Sequence, residues 1–232
     1  VATWMLIFTL PLLLVFPDAG GNEKQMKAAV RKGLKSLWQT IKKLREYRGI
    51  VWFLAARMFY SDGLNTLFAF GGIYAAGTFG LSFEDLIIFG ISINLIAGVG
   101  AIIFAWVDDW LGPKIVIIAG VSGLVLFGGA LLVIESQKLF WIFGLPLGIF
   151  VGPIQSASRS LMGRIIPKEK TNEFYGFYAF SGKATSFAGF LLLSIMILIT
   201  GSQEIGMLVV SLLLIGGIYI LSKVDDQAKQ EI

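Results

Sequence analysis

Three ionisable side chains stand inside long apolar stretches of this 232-residue sequence: Arg57, Asp62 and Lys183. A charge at the centre of an isolated helix in hydrocarbon costs about 2.5–3.5 kcal/mol, so such groups face a partner or a wet cavity. Counted from the ends of their runs near 50 and 173, Asp62 and Lys183 lie twelve and ten residues in. That is roughly 15–18 Å at about 1.5 Å per residue, with Arg57 shallower. Opposite charges at matching depth on different helices predict either a structural bridge or a pair that a proton or solute separates, and residue type leaves both open. Asp62 is the candidate for a coupling proton or a solute ammonium group, with Lys183 its counter-charge; Asn65 and Gln155 are candidate solute contacts. Asn94, Ser156 and Ser158 add uncharged polar groups on the third and fifth spans. Without Cys or His the chain lacks thiolate nucleophiles, imidazole acid–base groups and the usual zinc, haem and iron–sulfur ligands. No paired catalytic Asp and no Ser/His set is visible, so an enzyme, a metal site and a cofactor are not expected. Gly176 to Gly182-Lys183 fails as a phosphate loop, because five residues rather than four separate the glycines and Ala184 replaces the Ser/Thr.

The elements that must hold these groups are apolar runs over 1–16, 50–79, 86–107, 115–134, 139–158, 174–199 and 205–222. Most are near the ~20 residues that cross a bilayer as a helix. With 56% hydrophobic and 15% charged residues, the chain needs lipid rather than water around it. Of its nineteen Lys and Arg residues, sixteen fall in 17–49, 108–114, 159–173 and the tail, whereas gaps 80–85, 135–138 and 200–204 hold only Lys138. The positive-inside rule therefore places the first set and the C-terminus in the cytoplasm. The net charge of +4 belongs to these connections, whose partner is the anionic lipid headgroup and not nucleic acid. The outer gaps contain no Asn-x-Ser/Thr acceptor, which fits the inner membrane of a bacterial cell.

Run 1–16 spans only about 24 Å as a helix, so it is expected to be a truncated transmembrane helix, entered partway through a longer protein. Over 17–48, Met26, Val30, Leu34, Leu37, Ile41 and Leu44 recur at steps of three or four among Lys and Arg, with Trp38 and Tyr47 beside them. That pattern predicts a basic amphipathic linker lying on the cytoplasmic leaflet. Residues 49–232 then form a six-helix transmembrane bundle with a cytoplasmic tail. Six helices after such a linker suggest one half of a two-half transporter, built from two three-helix repeats of inverted topology. Gly144, Gly148 and Gly152 are spaced by four, and Pro146 and Pro153 interrupt the same span. Close packing explains the glycines, and the prolines mark a helix that can bend.

The connection Ala105-Trp106-Val107-Asp108-Asp109-Trp110-Leu111-Gly112-Pro113-Lys114 resembles the signature loop of the major facilitator superfamily, with Asp109, Gly112 and Lys114 in register. Ala105, Trp110 and Pro113 replace its leading Gly and two basic residues. In that superfamily the loop latches the cytoplasmic side, and Asp109 here can cap a helix or pair with a basic group. A second resemblance runs through Gly152-Pro153-Ile154-Gln155-Ser156-Ala157-Ser158-Arg159-Ser160, Ile166-Pro167-Lys168-Glu169-Lys170, Glu173-Phe174-Tyr175-Gly176-Phe177-Tyr178 and Ser181-Gly182-Lys183-Ala184-Thr185-Ser186, with Asp62-Gly63-x-Asn65. These segments are similar to the vacuole-effluxer-like, autophagy-related permease branch of the superfamily, whose fungal members are described as vacuolar amino-acid effluxers. The resemblance implies an all-α integral membrane protein, the C-terminal half of a secondary transporter. It would move a small polar solute, with amino acids as the suggested class, by alternating access against a missing N-terminal half. The rival expectation is a non-transporting membrane scaffold or assembly factor, in which the buried charges only fix helix registry.

Overall fold

The computed structural model describes residues 3, 5, 8–10 and 44–224, and among them every regular element is helical. The chain divides into two compact units, Val1–Lys43 and Leu44–Ile232. In the first, Thr3, Met5 and 8–10 are helical and exposed. The basic amphipathic segment expected over 17–48 lies outside the described residues except at its end, where Leu44–Tyr47 form one 3-10 turn.

The second unit contains eight described α-helices: α1 (Arg48–Phe79), α2 (Phe83–Leu111), α3 (Pro113–Leu131), α4 (Gln137–Gly144), α5 (Leu147–Ile165), α6 (Thr171–Ala184), α7 (Ala188–Thr200) and α8 (Gln203–Ser222). Among the described residues, five stretches are long and apolar enough to cross a membrane: α2, α3, α4 with α5, α6 with α7, and α8. The sixth path is α1, whose 32 residues extend about 48 Å. Arg57, Asp62 and Asn65 make it more polar than the others, and it encloses Phe53, Ala56, Tyr60 and Asp62. On the outside, Leu198 and Leu126 are 85% and 70% exposed, within an apolar surface suited to hydrocarbon rather than water. The unit is thus all-α and of multi-pass membrane type.

Helix ends follow local chemistry. Ser82 and Asp85 form a reciprocal capping box at the start of α2, and the Ser202 hydroxyl accepts from the Ile205 N–H at the start of α8. Between α2 and α3, Gly112 has φ of 87°, a conformation that a side chain would strain, and Pro113 opens α3 without needing a donor.

Two of the expected spans are broken. The 139–158 run divides at Leu145-Pro146, where proline removes a ladder donor and Gly148 and Ile149 bond back to Leu145 and Pro146 at 3.1 Å. Pro153, by contrast, is accommodated within α5. The 174–199 run divides at 185–187 without any proline. There the Ser186 hydroxyl donates to the Lys183 carbonyl at 3.0 Å and the Thr185 hydroxyl to the Met58 carbonyl at 3.3 Å. These side-chain bonds replace the interrupted ladder.

The pairings include α1 with α8, α3 with α5, α1 with α6 and α7, α2 with α5, and α3 with α8. Exchanging the first three spans for the last three maps the first pairing onto the second, the third onto the fourth and the fifth onto itself, the pattern of two related three-helix units. Along the α2–α5 contact, a Cβ added to Gly148 would stand 2.7 Å from the Ile93 carbonyl oxygen, and one added to Gly152 would stand 2.5 Å from that of Ala97. The glycine stripe therefore brings two backbones into direct contact.

Candidate functional site

Helical spacing on α1 puts Arg57, Ser61, Leu64 and Asn65 on one face. Opposite them α5 presents Gln155 and Arg159, and α6 presents Tyr178 and Lys183, around an open cavity of about 410 Å³. Three of the four residues singled out from sequence for solute or proton coupling, Asn65, Gln155 and Lys183, thus face one space.

Two side chains tie its walls together. The Tyr60 and Ser158 hydroxyls share a hydrogen bond of 2.7 Å that joins α1 to α5. Arg57 joins α1 to α6: Nη1 donates to the Tyr178 carbonyl oxygen at 2.8 Å and to the Ser181 hydroxyl at 2.9 Å. Its guanidinium carbon lies 3.7 Å from the centre of the Tyr178 ring, a close cation–π contact. Gly182 leaves the room for this, since a Cβ there would run into the guanidinium.

The fourth residue points elsewhere. Asp62 is 2% exposed and does not line the cavity; its Oδ2 accepts from the Gly189 N–H, at the second residue of α7, at 2.8 Å. The expected ion pair between Asp62 and Lys183 is absent, because Asp62 turns toward the break between α6 and α7 while Lys183 extends, exposed, into the cavity. The first N–H groups of a helix are unsatisfied, and a carboxylate is favoured beside them, so Asp62 supplies the cap that α7 lacks within its own sequence. Asp62 Oδ1 and Thr66 Oγ1, one turn further along α1, are buried with no hydrogen-bond partner among the described residues.

In the 105–114 connection the ion pair is made by Asp108, not by Asp109. Asp108 Oδ1 lies 3.2 Å from Arg164 Nη2 in the last turn of α5, while Asp109 is exposed and makes no ion pair among the described residues. The α-helix continues through Leu111, so successive residues diverge by about 100° and Asp108 is the one facing α5. Lys114 donates to the carbonyls of Ser222 and Val224, placing a cation at the C-terminal end of α8. Gly112 holds the turn between these two anchored ends.

In sequence Arg57 stands out only as an intramembrane charge, and Arg159 falls in a cytoplasmic connection. Both line the cavity, Arg159 because α5 runs on to Ile165, beyond the apolar window that ended at 158. Hydropathy follows lipid contact, whereas a helix can continue into a polar cavity.

Helices broken beside a polar cavity, within a bundle of paired three-helix units, define an all-α protein of multi-pass membrane type. The chain belongs to the family described as "Vacuole effluxer Atg22 like", whose pattern matches residues 1–231. It is similar to the "Uncharacterized MFS-type transporter YxiO" of Bacillus subtilis, 27% identical over all of this chain and 54% of that protein. Fungal relatives include "Autophagy-related protein 22" of Cryptococcus neoformans, 26% identical over 95% of this chain and 42% of that protein. "Autophagy-related protein 22-2" of Emericella nidulans is 28% identical over 88% of the chain and 37% of its own length. The chain spans about half or less of the length of these relatives.

Proposed function

We propose that this chain is the C-terminal half of a secondary transporter that moves a small polar solute, in the class of amino acids, by alternating access. The observation that carries the reading is the convergence of Asn65, Gln155 and Lys183 on one cavity between α1, α5 and α6. Support comes also from the names of the relatives, an MFS-type transporter among them. In this reading the cavity closes against the part of such proteins that this chain does not cover, and anionic lipid headgroups are the partner of the basic connections. The basic connections face the cytoplasm and the C-terminus is inside, in the inner membrane of a bacterial cell.

Asp62 acts as the coupling group. Capping α7 stabilises one arrangement of the broken path, and a proton on Asp62 weakens the cap by removing its charge. Protonation thereby loosens α7 from α1 and lets the two halves of the path move separately. The 105–114 connection, held by Asp108–Arg164 and by Lys114, is the cytoplasmic latch. The reading treats the chain as a carrier and not an enzyme.

The test is exchange in vesicles. Full-length protein containing this chain, reconstituted in proteoliposomes preloaded with unlabelled amino acids, should accumulate a labelled amino-acid mixture saturably, and an Asp62→Asn variant should lose the response to a pH gradient. Absence of saturable exchange would favour the scaffold reading.

A further inference from the structure

We infer that the cavity between α1, α5 and α6 is an anion site, and that this half of the protein holds its solute by a carboxylate group, favouring acidic amino acids over neutral ones of the same size. This rests on the transporter reading and names the substrate class of the same site. The charge of the walls carries it. Arg57, Arg159 and Lys183 all line the cavity, and no Asp or Glu does. None of the three makes an ion pair among the described residues; the described pair is Arg164–Asp108, elsewhere. The nearest charge of opposite sign along α1, Asp62, is committed to Gly189 and is not in the cavity wall.

Three cations around one open cavity of about 410 Å³ give it a positive potential that an anion lowers on binding. The volume lies within the ~300–1,000 Å³ of small-molecule sites. Arg57 is prepared for such a ligand. Its Nη1 is used by Tyr178 and Ser181 and its plane is fixed against the Tyr178 ring, while Nη2 and Nε make no hydrogen bond among the described residues. A guanidinium held in place with a free edge suits a planar carboxylate, which accepts two parallel N–H bonds. Lys183 and Arg159 are exposed on long stems and can reach a second carboxylate oxygen, and Asn65 and Gln155 add amide donors. No cavity residue supplies a charged acceptor for an ammonium group, so a neutral zwitterion leaves net positive charge behind and an acidic amino acid cancels more of it.

Glutamate and glutamine isolate the effect, having the same size and differing by one carboxylate. Full-length protein in proteoliposomes, containing an internal pool of both, should exchange labelled glutamate at least about tenfold more efficiently than glutamine, a factor equivalent to about 1.4 kcal/mol. Lys183→Gln and Arg159→Gln, both exposed and therefore compatible with folding, should each lower the glutamate-to-glutamine ratio of kcat/KM several-fold. Arg57→Lys should lower it as well, since an ammonium cannot present the paired donors. Saturable exchange with glutamine equal to or better than glutamate, or a ratio unchanged in all three variants, would overturn the anion site and leave the transporter reading standing. No saturable exchange of any labelled amino acid would remove both.

Discussion

The carboxylate of Asp62 and the backbone N–H of Gly189 meet at 2.8 Å across 127 residues of sequence, joining the middle of α1 to the first turn of α7. Each needs the other. Across the break at 185–187 the Ala188 N–H finds the Thr185 carbonyl, the Gly189 N–H takes Asp62, and the buried Asp62 carboxylate gains a donor. A mid-membrane acidic group costs about 2.5–3.5 kcal/mol, and a helix N-terminus returns up to ~2 kcal/mol, so the cap offsets part of the cost. Gly189 permits the approach: a Cβ there would press on Thr66, on Leu213 at 2.9 Å and on the Asp62 carboxyl carbon at 3.2 Å.

Replacing Asp62 separates its two tasks. Asn keeps an oxygen that can accept from Gly189, whereas Ala leaves a buried donor unpaired, at about 1–3 kcal/mol. Thermal unfolding of the purified full-length protein should therefore rank Asp62→Ala well below Asp62→Asn. Equal losses would contradict the capping role, and only the Asn variant tests coupling cleanly.

The glycine stripe gives a steric prediction. Gly152→Ala forces a methyl against the Ala97 carbonyl and should destabilise by about 1–3 kcal/mol as α2 and α5 move apart. Gly98→Ala, where a Cβ meets open space, should stay within ~0.5 kcal/mol of the parent. Denaturation of the two variants side by side measures the difference.

At the latch, the Asp108–Arg164 pair is partly exposed, with the two side chains 17% and 38% accessible, and should add less than about 1 kcal/mol to stability. Its effect should fall on rate. Asp108→Asn should change the exchange rate more than Asp109→Asn, and the charge swap Asp108→Arg with Arg164→Asp should recover part of it. A larger effect from Asp109 would return the role to the residue that the motif indicates.

Much of this arrangement is legible in sequence, for identifiable reasons. Apolar runs reveal α2, α3 and α8 because lipid surrounds them, and Gly112-Pro113 declares its turn through backbone geometry. The break at Leu145-Pro146 is visible as a proline. The break at 185–187 is not, because Thr185 and Ser186 interrupt a helix only when neighbouring carbonyls such as Met58's stand in reach. The same limit explains Asp62. Depth along a helix follows from counting, but the side of the helix facing Lys183 depends on packing, and Asp62 turns to Gly189 instead. Arg57 was conspicuous as a charge, yet its use as a clamp needed Tyr178 and Gly182 to be seen beneath it.

Orientation can be read with thiol chemistry, as this chain has no cysteine of its own. In a cysteine-free background of the full-length protein, Cys at Ser82 or Ser202 should react with a membrane-impermeant reagent added outside, and Cys at Ser36 should not. The opposite pattern would invert the topology that the basic connections imply.

The central claim is that solute passes through the cavity between α1, α5 and α6, and a single cysteine at Gln155 tests it most directly. In reconstituted full-length protein, alkylation at that position should stop amino-acid exchange, and a saturating amino-acid mixture should slow the alkylation. A control cysteine at Leu198, on the outer apolar surface, should show neither effect. Exchange that survives complete alkylation at Gln155, with no protection by amino acids, would contradict the account.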